Sequence, residues 1–105
     1  MLFVTTETIP GKKLELLGLV EGGTIQSKNI GWDISQGLKT IVGGELKAYN
    51  QMMETARALA TERMEAQAKA LGADAVVCMR YASTSVMQGA AEILVYGTAV
   101  RFLPD

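Results

Sequence analysis

The chain has 105 residues, 49% hydrophobic and 20% charged, with a mean hydropathy of +0.18 and a formal net charge of −1. That length bounds it to one domain, residues 1–105, burying roughly 60–70% of the surface its unfolded form exposes. Scattered basic residues and 6% aromatics exclude a nucleic-acid surface, and no apolar run approaches a membrane span; one cysteine and no basic leader argue against secretion, so a soluble cytoplasmic protein is expected.

Residues 2–6 are apolar and β-branched and predict a short strand. Ile9-Pro10-Gly11-Lys12 has the proline and glycine of a type II turn, which predicts a hairpin-like return. A second strand follows over 14–25. Strict alternation puts Leu14, Leu16, Gly18 and Val20 on one face and Glu15, Leu17, Leu19 and Glu21 on the other, with Gly22-Gly23 as a bulge or bend. Asp33, with Gln36 three residues on, caps a short helix over 34–42 that stops at Gly43-Gly44.

The clearest element is a helix over 45–71, free of proline and glycine and rich in good helix formers. Leu46, Tyr49, Met53, Ala56, Ala60, Met64, Ala68 and Leu71 recur at three- and four-residue steps and form its apolar face. Glu65 and Lys69 form a favourably oriented pair, and Gly72 stops the helix. A third strand over 75–84, a loop over 83–89 and a fourth strand over 92–103 complete the chain. In the fourth, Ile93, Val95, Gly97 and Ala99 oppose Leu94, Tyr96, Thr98, Val100 and Phe102.

Neither the second nor the fourth strand has a polar face. A sheet with one wet face alternates apolar and polar residues. One long helix and one short one are too little to cover both faces of four strands. A second copy of the chain is the expected cover, which makes self-association the expected partnership.

Few residues promise chemistry. The sequence has no histidine and no phosphate-loop, dinucleotide, nucleophile-elbow, C-x-x-C or calcium-loop motif. Gly22-Gly23 and Gly43-Gly44 are expected to be turns or helix joins rather than anion sites. Glu62 and Glu65 are expected to be a solvated face. Arg57, mid-helix among alanines, is expected to pair with Glu54 or to reach a neighbouring subunit. Cys78 and Met79 put two soft sulfurs side by side. Alternation separates them, however: Cys78 shares a face with Val76 and Arg80, and Met79 with Val77 and Tyr81, unless a bulge intervenes. A packed structural cysteine is the expected reading. Cys78 is the one metal-ligand candidate, and no catalytic or cofactor-binding residue is assigned.

The runs G-G-E-L-K-A-Y (43–49), A-R-A-L-A-T-E-R-M (56–64), L-G-A-D-A-V-V (71–77) and Y-G-T-A-V (96–100) resemble the YbjQ-like family, catalogued as heavy-metal-binding, over nearly the whole chain. The resemblance implies an α+β subunit of order strand-strand-helix-strand-strand, an antiparallel sheet packed on one long helix, and a ring-shaped homopentamer. Relatives commonly carry a small residue, often glycine, where this chain has Cys78, and an acidic residue where it has Thr55. Cys78 is therefore not the residue behind the family's description.

The sequence thus leads to a non-enzymatic homo-oligomer, a pentamer by resemblance, binding a small ligand or ion between subunits. The alternatives are a heavy-metal-binding protein with soft ligands shared between subunits, and an enzyme whose inter-subunit site uses Arg57, Tyr49 and carboxylates.

Overall fold

The computed structural model of the chain describes residues 1–27, 44–87 and 90–105. The expected short helix over 34–42, its Asp33 cap and its Gly43 stop lie outside them. The elements in chain order are β1 (Leu2–Phe3), β2 (Lys13–Ser27), α1 (Gly44–Ala70), β3 (Ala75–Met87) and β4 (Ala90–Leu103). The four strands form one sheet in the order β1-β3-β4-β2, and α1 packs across β2 and β4.

The order strand-strand-helix-strand-strand is as expected, but the sheet is mixed rather than antiparallel. β1 runs parallel to β3, while β2 and β3 each pair antiparallel with β4. The turn at Ile9-Pro10-Gly11-Lys12 forms, with Lys12 N–H donating to Ile9 C=O at 3.1 Å and Gly11 at φ +76°. It makes no hairpin, because β1 and β2 lie at opposite edges of the sheet. The expected loop over 83–89 is also largely strand. β3 continues to Met87 and β4 begins at Ala90, so the two form one long hairpin. Serine and threonine in an exposed antiparallel ladder read like a loop in sequence.

α1 ends in a Schellman motif. Ala73 N–H donates to Ala68 C=O and Gly72 N–H to Lys69 C=O, both at 3.0 Å, with Gly72 at φ +80°. The motif turns the chain before Leu71 can dock, so Leu71 is exposed, contrary to the sequence expectation. Asp74 then fixes the turn to β4, its N–H donating to Val100 C=O at 2.8 Å and its carboxylate accepting from Phe102 N–H at 2.7 Å.

Of the rest of the predicted helical face, Ala56, Ala60, Met64 and Ala68 are buried and Tyr49 and Met53 are half-buried. Ala56, Ala60, Met64 and Ala68 meet Val20, Val76, Met79, Ile93, Val95 and Ala99, with Leu17 and Met53 at the margin. The alanines let α1 approach closely. At Gly22 a Cβ would overlap the Ala60 carbonyl oxygen and sit 2.5 Å from Met64 N. Gly22 therefore marks helix contact, not the bulge expected there, and its register with Val95 is unbroken.

The β2 bulge falls instead at Leu17, between the pairs Leu16↔Val100 and Gly18↔Ala99, with Gly18 at φ +145°. It breaks the expected alternation. Leu14 joins a second cluster with Ala75, Val77 and Val100, whereas Leu17 and Val20 join the helix-side core. Leu16 and Leu19 are left 73% and 71% exposed, and Ile25 is 65% exposed. The radius of gyration is 17.2 Å, against ~13 Å for a compact chain of this length, and the extents are 58 × 22 × 16 Å.

Candidate functional site

The sulfur pair sits on a bulge. The β3–β4 register slips between Val77↔Thr98 and Arg80↔Tyr96, so Cys78 and Met79 together oppose Gly97. Cys78 takes φ +55°, the left-handed region where a side chain costs roughly 1–2 kcal/mol and glycine costs least. Gly97 is required opposite: a Cβ there would lie 2.5 Å from Val76 Cγ1 and 3.0 Å from Val77 O.

The bulge corrects the predicted faces. Cys78 leaves Val76 and packs with the cluster of Ala75, Val77 and Val100, while Val76 and Met79 both face α1. Val77 is correspondingly separated from Met79. The two sulfurs lie in different clusters, as expected, but through a bulge rather than plain alternation.

The N-terminal segment closes over the bulge. Cys78 N–H donates to Thr6 C=O and Met79 N–H to Val4 C=O, both at 3.0 Å. The Arg80 guanidinium donates to Thr5 C=O at 3.0 Å and to Met79 C=O at 2.9 Å. Cys78 is thus half-buried among Val4, Ile9, Leu14 and Phe102, which bring it no second metal ligand. Among the described residues, no three histidine, cysteine or carboxylate side chains gather to hold an ion.

A small cleft of about 120 Å³ opens elsewhere, lined by Met53 and Arg57 of α1, Tyr81, Ala82 and Ser83 of β3, and Ile93 of β4. Its polar rim has a defined direction. Thr61 Oγ1 donates to the Arg57 carbonyl at 2.8 Å and lies 2.8 Å from Tyr81 Oη. A carbonyl only accepts, so the Thr61 proton is spent there and the tyrosine hydroxyl donates to Thr61. Among the described residues Arg57 makes no ion pair with Glu54. Sequence periodicity placed Arg57 on the helix but had no means of bringing Tyr81 and Ser83 to it. Among the described residues, Tyr49 and the glutamates do not line this cleft.

Two further polar features belong to the helix–sheet junction. Gln67 Oε1 accepts from Glu21 N–H at 2.9 Å, and Arg63 donates to Gly23 C=O at 2.6 Å. These groups lie on the margin of β2 away from β4, so α1 side chains occupy part of a free sheet edge. Thr24 is buried and its hydroxyl has no partner among the described residues. Glu65 and Lys69 approach to 4.0 Å as predicted, and Glu15 pairs with Arg101 across β2 and β4.

The architecture is that of an α+β protein with a four-stranded mixed sheet and one long helix among the described residues. A crystal structure of a protein of unknown function of the DUF74 family from Pediococcus pentosaceus shares it, with a TM-score of 0.66 over 98% of both chains at 15% identity. The chain belongs to the YbjQ-like family, described as "Putative heavy-metal-binding", whose profile matches residues 1–103. A UPF0145 protein of Clostridium novyi is 60% identical over 103 residues, covering 98% of this chain and all of that one. One of Alkaliphilus metalliredigens is 59% identical with the same coverage, and one of Thermus thermophilus is 53% identical over 99% of this chain and 92% of its own length. No helix among the described residues is long and apolar enough to cross a membrane.

Proposed function

We propose that this protein is a non-enzymatic cytoplasmic homo-oligomer, a pentameric ring by its family resemblance, that acts by binding a small ligand. The observation that carries the reading is the outer face of the sheet. Leu16, Leu19 and Ile25 project there largely exposed, beside a half-exposed Tyr96. Covering the first three would contribute about 5 kcal/mol per chain before the cost of association. The large radius of gyration supports the same reading, because the long hairpin and the helix α1 gain packing from a neighbour.

Face-to-face cover is favoured over pairing along β2, since Gln67 and Arg63 already occupy edge groups of that strand at Glu21 and Gly23. Native mass spectrometry tests the reading. A defined oligomer at micromolar concentration is expected, and a monomer there overturns it.

A further inference from the structure

We infer that the cleft between α1 and β3 is a binding site for a short-chain monocarboxylate, held by Arg57. The inference rests on the reading that the protein works by binding, but the cleft is built from one chain alone. Among the described residues its lining includes one charged side chain, that of Arg57, and no acid. An anion is therefore the matching ligand, because a guanidinium forms charge-assisted, often bidentate bonds with carboxylates.

The remaining lining decides which anion. Met53, Ala82 and Ile93 give the cleft an apolar part. A hydrated phosphate dianion gains nothing from that surface and wants several N–H or O–H donors. Besides Arg57, the lining side chains among the described residues include only two hydroxyls, on Ser83 and Tyr81. The Tyr81 proton is committed to Thr61, whose own proton is committed to the Arg57 carbonyl. One guanidinium and one hydroxyl without a partner among the described residues suit a carboxylate, and the apolar part suits a short alkyl tail. Size agrees: a cavity of ~150 Å³ holds benzene, so about 120 Å³ encloses about five heavy atoms, close to the size of butyrate.

The Tyr81–Thr61–Arg57 chain of hydrogen bonds also has a positioning role. It ties the β3 wall to the α1 backbone at the residue that supplies the charge. Cleft width is thereby linked to the placement of Arg57.

The test is a titration of the full chain with sodium butyrate, followed in amide TROSY spectra, beside butyramide and inorganic phosphate. Butyrate is expected to shift the amides of Ala82, Ser83 and Ile93 saturably, with a Kd on the order of 1 mM for so small a ligand. Butyramide and phosphate are expected to bind at least ~10-fold more weakly, and Arg57→Met to weaken butyrate by ~10-fold or more. Arg57 is exposed, so the variant is expected to fold, and its undisturbed resonances check this. Equal binding of butyramide, stronger binding of phosphate, an unaffected Arg57→Met, or no saturable shift each overturns the inference. An oligomer that ignores butyrate sinks this inference alone; a monomer that binds it sinks only the assembly.

Discussion

On the side of the sheet beneath α1, Val20, Ile93, Val95 and Ala99 are nearly inaccessible; on the opposite side Leu16, Leu19 and Ile25 stand in the open. Both sets are aliphatic, and both come from the same two long strands or their immediate pairing. What separates them is cover. The helix supplies it through a row of alanines and Met64, while the N-terminal segment shields only the end of the other face around Cys78. An apolar residue in a strand thus reports that something covers it, not that the same chain does.

The covered side is the more brittle. Gly22→Ala is expected to cost ~3 kcal/mol or more, because the added methyl meets helix backbone that cannot rotate aside. Urea melts of the variant check this, and an unchanged midpoint would mean that α1 sits farther from β2. At the bulge, Cys78→Val is expected to lose ~2 kcal/mol relative to Cys78→Gly, since a β-branched residue tolerates φ +55° poorly. Ordinary strand positions prefer valine, so thermal melts giving the reverse order would contradict the bulge geometry.

Thr24→Val sharpens the comparison from the other direction. Removing a buried hydroxyl that has no partner among the described residues, while keeping its shape, is expected to raise stability by ~1 kcal/mol. A loss on calorimetry would show that the hydroxyl is satisfied in solution. On the open side, Leu16→Ser with Leu19→Ser is expected to shift the single chain's stability by less than ~0.5 kcal/mol. The same pair is expected to lower the assembled mass seen by native mass spectrometry. A large stability loss without a mass change would place their cover within the chain.

Much of this was legible from residue spacing. The helix, its stop at Gly72 and the facing of β4 follow from periodicity and from residues whose backbone preferences are local. The parallel pairing of β1 with β3 was not legible, because a two-residue strand carries no signal about its partner. The bulges at Leu17 and Cys78 were hidden for a related reason. Each depends on the residue across the ladder, Ala99 or Gly97, and one misplaced bulge exchanges every face beyond it. The cleft was legible only in Arg57. Tyr81 and Ser83 reach it from a distant part of the chain, and nothing in their own neighbourhood marks them.

The contacts from α1 to the margin of β2 also matter in folding time. β2 must wait for β4, whose register with it runs from Lys13↔Leu103 to Ser27↔Ala90, nearly the span of the whole chain. Pairing so remote closes slowly, and an unpaired strand is meanwhile open to other chains. Gln67 and Arg63 reach Glu21 and Gly23 across only 46 and 40 residues. A helix that docks first can therefore guard one margin of β2 while the other is still empty.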